Sequence, residues 1–81
     1  MNPSIELFPN PTSNRLIIRL DGLTGQDILV KLFALNGIQM FIKPLASNQT
    51  NVINLNGIPS GLYLLYVQSG NISIKKKLIL N

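Results

Sequence analysis

The sequence predicts an all-β fold, an immunoglobulin-like antiparallel β-sandwich of about seven short strands. Three observations carry this. Apolar residues recur in short alternating runs. Turn signals rich in Gly, Asn and Pro interrupt those runs about every 8–12 residues. No stretch shows the 3.6-residue apolar period of a helix. The chain has no cysteine and no tryptophan, so the disulfide and buried indole of antibody domains are absent. A small barrel is the alternative architecture.

Eighty-one residues suffice for one domain, with about 60–65% of the unfolded surface buried. Apolar residues make up 46% and charged residues only 12%. Disorder needs more polarity than that to resist collapse, so the chain is expected to fold.

Taken in order, Ser4 to Phe8 reads as a short strand that ends at Phe8-Pro9-Asn10-Pro11, because proline cannot donate to a ladder. Asn14 to Leu20 alternates, with Leu16, Ile18 and Leu20 on one face, Arg15 and Arg19 on the other, and Ile17 as the exception. Asp21-Gly22 and Thr24-Gly25 mark a loop. Asp27 to Leu35 places Ile28, Val30, Leu32 and Ala34 on one face. The opposite face (Leu29, Lys31, Phe33, Leu35) is more apolar than a solvated surface needs, which suggests partial cover.

Asn36-Gly37 predicts a type I′ hairpin turn with positive φ at both positions. The partner strand, Ile38 to Lys43, then sets Ile38, Met40 and Ile42 together and ends at Pro44. Leu45 to Gln49 reads as a loop, and Thr50 to Leu55 as a strand with Ile53 and Leu55 inward. Asn56 to Gly61 is a structured turn that lets Ile58 reach the core. Leu-Asn-Gly occurs at Leu35–Gly37 and again at Leu55–Gly57, which reads as two similar turns.

The last hairpin is the most clearly written. Gly61 opens a strand with Tyr63, Leu65 and Val67 on one face. Gly70-Asn71 turns it, and Ile72, Ile74, Leu78 and Leu80 share one parity on the return. Lys76 shares that parity too, so a β-bulge, an edge position or a snorkelling side chain is required there. A hairpin at the end of a small domain reads as a module appended to something upstream. Tyr63 is most simply core, as is Phe8 or Phe33. Tyr66, Leu62 and Leu64 form an outward stripe, either exposed as an interaction surface or covered by another segment.

Much chemistry is excluded. Without histidine or cysteine there is no catalytic triad, thiol nucleophile or ordinary zinc site. Glu6, Asp21 and Asp27 are the only acids; Asp21 and Asp27 flank one loop, but tight calcium sites use more carboxylates. No glycine-rich phosphate loop leads into a helix. No cofactor and no enzymatic activity are expected. The net charge of +4 comes from scattered basic residues and the Lys75–Lys77 run, without the aromatic interleaving of RNA binders, so no nucleic-acid partner is expected. The longest apolar run, Leu62 to Val67, is too short to span a bilayer as a helix. The N-terminus lacks signal-peptide character, so the chain is either cytoplasmic or a fragment whose export signal lay upstream.

Four stretches in order complete the picture: FPNPTSNRLII (Phe8–Ile18), VKLFALNGIQM (Val30–Met40), INLNGIPSGLYLLYV (Ile53–Val67) and KKKLIL (Lys75–Leu80). Together they resemble the type A C-terminal sorting domain of the type IX (Por) secretion system, the outer-membrane export route of Bacteroidota. The family pattern falls on Pro9, Asn10, Pro11, Gly37, Ile58, Gly61, Tyr63 and Lys77. Ala34 and Asn14 depart from it, standing where aspartate is common.

The resemblance implies one sorting domain over residues 1–81, fused downstream of a cargo protein. It implies transit through the periplasm, recognition by the translocon, passage across the outer membrane and removal by a sortase-like peptidase. The cargo is then secreted or held at the cell surface, without membrane insertion of the domain itself. Lys75, Lys76, Lys77, Leu78, Ile79 and Leu80 are the candidate recognition residues, by strand addition or side-chain docking. An immunoglobulin-like carbohydrate-binding or adhesion module is the alternative, and would need a platform of exposed aromatics. A structural spacer is a third reading.

Overall fold

The computed structural model describes residues 4–9, 14–22, 27–46 and 50–81. Among these residues seven strands follow one another: β1 (Ser4–Phe8), β2 (Arg15–Asp21), β3 (Ile28–Ala34), β4 (Gln39–Leu45), β5 (Thr50–Asn54), β6 (Gly61–Ser69) and β7 (Ile72–Leu80). They form two antiparallel sheets, a three-stranded one in the order β1-β2-β5 and a four-stranded one in the order β4-β3-β6-β7. The fold is the immunoglobulin-like sandwich that the turn spacing predicts.

The core lies between the sheets and obeys strand parity, since successive side chains point to opposite faces. Leu16, Ile18 and Leu20 of β2 are buried, as are Ile28, Val30 and Leu32 of β3, Ile53 of β5, and Tyr63, Leu65 and Val67 of β6. Leu78 and Leu80 complete it from β7. Leu55, just past β5, is buried, and Ile58 packs on the cluster from the next turn. Ile17, the exception in its strand, points outward between Phe8 and Val52, its neighbours in register on β1 and β5. Cross-strand apolar pairing explains an outward isoleucine there.

Four expectations are corrected. Pro44 does not end its strand: β4 runs on to Leu45, which is buried rather than in a loop. Proline is tolerated because β4 is a sheet edge, where one side needs no ladder donor. Ile38, Met40 and Ile42 do not share a face. The register shifts from Leu32↔Phe41 to Phe33↔Gln39, which leaves Met40 unpaired as a bulge and re-aims the rest of the strand. Ile38 is exposed before the strand starts, and Ile42 points outward opposite Lys31.

The β3–β4 turn is also not the type I′ turn expected at Asn36-Gly37. The Gly37 N–H donates to the Ala34 carbonyl (2.9 Å), so Leu35 and Asn36 are the central pair. Gly37 comes next at φ +91°, and the Ala34 N–H closes the loop on the Ile38 carbonyl (2.9 Å). This is a three-residue hairpin loop with a left-handed third residue. The second Leu-Asn-Gly differs in its hydrogen bonding, although Gly57 has a similar φ of +87°. There the Ile58 N–H donates to the Leu55 carbonyl, which centres the turn on Asn56-Gly57. Asn10, Pro11 and Thr24-Gly25 lie outside the described residues.

Two substitutions test the layering. Leu65→Ala, at a fully buried site of the central β6 strand, should lose about 2–5 kcal/mol in urea unfolding. Ile79→Ala, at an exposed site of edge strand β7, should lose under about 1 kcal/mol. Similar losses for the two would contradict the two-layer assignment.

Candidate recognition surface

Strand β7 carries the candidate recognition residues, and its register with β6 runs unbroken from Gly61↔Leu80 to Ser69↔Ile72. Gly70, at φ +59°, supplies the positive angle that the two-residue turn between them requires. The unbroken register excludes a bulge at Lys76. Lys76 stands opposite the buried Leu65, on the core side of the sheet, yet it is exposed because β7 is an edge. The long stem reaches solvent at the open rim of the sandwich. Lys76 and Lys77 line a depression of about 340 Å³ there with Ile5 to Phe8 of β1.

The structure divides the candidate residues into two sets. Leu78 and Leu80 are core, so in the folded domain they hold the strand and are closed to solvent. Lys75, Lys77 and Ile79 point to the outer face, opposite Tyr66, Leu64 and Leu62 respectively. Ile72 shares core parity but is 37% exposed, since it lies at the hairpin tip.

The outer face is open: all seven strands belong to the two sheets, and among the described residues no further element lies over it. Register assembles it into rows across four strands. One row runs Ile42, Lys31, Tyr66, Lys75, and the next runs Gln39, Phe33, Leu64, Lys77. Leu62 and Ile79 extend the apolar part. Phe33 and Tyr66 meet edge to face, with centroids 5.4 Å apart and planes at 87°, a favourable aromatic geometry. Rings at right angles are not the flat platform that the carbohydrate-binding alternative requires. Both rings are half-buried against neighbouring side chains, whereas Phe8, another candidate for the core, is 38% exposed on the other sheet.

Sequence reading missed Lys31, Phe33 and Ile42 as parts of this surface. The signal for the first two was the unusually apolar second face of their strand. Ile42 gave no such signal, because its parity with Ile38 and Met40 does not survive the Met40 bulge.

Among the described residues of the family pattern, Tyr63, Ile58, Gly61 and Gly37 have structural parts. The Tyr63 hydroxyl donates to the Pro59 carbonyl, tying the start of β6 to the preceding turn. Such a bond from a tyrosine at this corner is a recurrent device of immunoglobulin-like sandwiches. Ile58, in the same turn, packs on the core, and Gly61 begins β6 at φ +154°. Gly37 closes the β3–β4 loop, and the exposed Pro9 comes directly after the last residue of β1. Among the described residues, no three potential acidic or sulfur or imidazole ligands cluster.

The fold defines a small immunoglobulin-like β-sandwich module. A family model described as the secretion system C-terminal sorting domain matches residues 6–81, and the chain belongs to that family. It is a C-terminal sorting signal for type IX secretion, and it is not catalytic. A domain of this kind acts on a protein fused upstream and works through the secretion machinery. The exported product is secreted or stays at the cell surface. No curated protein matches the chain.

Two variants test the structural roles. Tyr63→Phe keeps the ring but removes the bond to Pro59 and should cost about 1 kcal/mol in chemical unfolding; an unchanged midpoint would show that the bond contributes nothing. Lys76→Leu should keep the fold by circular dichroism but self-associate in sedimentation velocity, because an edge strand loses its inward charge. A strictly monomeric variant would remove that role from Lys76.

Proposed function

We propose that residues 1–81 act as one sorting domain that directs an N-terminally fused cargo through the type IX translocon. The cargo reaches the periplasm first, crosses the outer membrane of a Bacteroidota cell and is then freed of the domain by a sortase-like peptidase. It is afterwards released or retained on the cell surface, and the domain enters no membrane. The observation that carries the reading is the family match over residues 6–81, joined to a fold that closes its own core. A tag that folds alone tolerates any cargo in front of it.

Within this reading β7 is central to the signal. Lys75, Lys77 and Ile79 present the outward contact atoms, Lys76 marks the rim, and Leu78 and Leu80 anchor the strand. Pro9, Gly37, Ile58, Gly61 and Tyr63 serve by shaping the sandwich. The test is a fusion of the chain to a periplasmic reporter in a host with the system. Deleting residues 73–81 should leave the reporter inside the cell. Appearance of the truncated fusion in the medium at the undeleted level would overturn the proposal.

A further inference from the structure

Resting on the sorting reading, we propose that the partner docks side chain to side chain on the outer face of the β4-β3-β6-β7 sheet, and that this partner is a protein surface with carboxylates set between apolar side chains. Two independent observations point there.

The first is that both edges of this sheet are guarded against strand addition. Lys43 of β4 stands opposite the buried Val30, and Lys76 of β7 stands opposite the buried Leu65, so each edge carries a cation on its core side. Lys43 lies with its Nζ 4.8 Å from the centre of the Phe41 ring. An added strand would cover these ammonium groups and strip their water, which is costly without a paired anion. Pro44 removes a ladder donor from β4 as well. Inward charges and edge prolines are the common means of blocking edge pairing.

The second is the composition of the open face. Lys31, Lys75 and Lys77 point outward, and the four strands that build the face contain no acidic residue. The lysines alternate with apolar groups: Ile42 and Tyr66 flank Lys31, and Leu64 adjoins Lys77. Between Phe33, Leu64, Tyr66 and the Gly37 loop lies a shallow depression of about 390 Å³, with Lys31 at its margin. It accepts an apolar side chain while a neighbouring carboxylate meets the ammonium. The edge-to-face rings fix the floor before the partner arrives, which lowers the ordering cost of binding. Charge complementarity of this kind selects an acidic partner and rejects a basic one.

The test uses the full chain fused to the exported reporter. Lys31→Gln with Lys75→Gln removes two charges from the face, and Leu64→Ser removes an apolar contact. Arg15→Gln with Arg19→Gln removes the same charge from the opposite sheet and serves as the control. Circular dichroism and urea unfolding establish that all variants fold. Export should fall roughly tenfold or more for both face variants and stay unchanged for the control. Undiminished export of folded face variants, or an equal loss in the control, overturns the proposal while leaving the sorting function intact. If even the unsubstituted fusion stays inside the cell, the sorting reading itself fails.

A photo-crosslinking residue at position 64 should capture an acid-rich component of the secretion machinery, and one at position 52 on the other sheet should not. Capture of a second copy of the chain would overturn the proposed occupant. So would lysine-dependent binding of the purified chain to vesicles of phosphatidylglycerol and phosphatidylcholine in equal parts.

Discussion

Everything else in the sandwich is built on the pairing of β3 with β6. Val30 faces Val67 and Leu32 faces Leu65 across this ladder, all essentially without solvent exposure. These two strands are central in the larger sheet, so their register decides which side chains enter the core and which point away. A slip of β3 by one residue would turn Lys31 and Phe33 into the core and expose Val30 and Leu32. The apolar pattern therefore holds the register, and the register in turn composes the outer face. β4 and β7 add to an arrangement that the central pair has already settled.

Around this centre, the rims show how a small sandwich manages its unpaired strands. The four-stranded sheet turns a lysine inward at each edge. On the smaller sheet, Asn51 of edge strand β5 points toward the core side and bonds both backbone groups of Ala46, accepting from its N–H at 2.9 Å and donating to its carbonyl at 3.0 Å. That fastens β5 to the residue leaving β4, joining the sheets at one side. The opposite side, where β1 lies near β7, is left with Glu6 beside Lys76 and Lys77 around a shallow depression. Charged and polar groups thus occupy places where a purely apolar pattern would leave sticky edges.

A domain that rides on cargo must be inert toward itself and selective toward one machine. Guarded edges serve the first need, because edge pairing is the usual route by which β-proteins aggregate. An open face serves the second, because side chains carry specificity that backbone pairing lacks. No acid lies on any strand of that face, so Lys31 and Lys75 suit it to a negative surface.

The all-β class, six strand positions closely and one in part, nearly the whole core and the family resemblance are all legible in the sequence. Strand parity and turn chemistry are local properties, written in Leu16-Ile18-Leu20, Tyr63-Leu65-Val67 and Gly70-Asn71. Only the assembled sheets settle what depends on a strand's neighbours. Pro44 is compatible with a strand only at an edge, and no local pattern says which strand will be the edge. Met40 bulges because β4 must fit β3 after a three-residue loop, which two-residue turn logic at Asn36-Gly37 does not anticipate. Lys76 reads as a misplaced charge in one dimension, and its partner Leu65 and edge position explain it in three. The candidate recognition surface is the largest such case: Ile42, Lys31, Tyr66 and Lys75 are scattered along the chain, and only the register of four strands makes them one row.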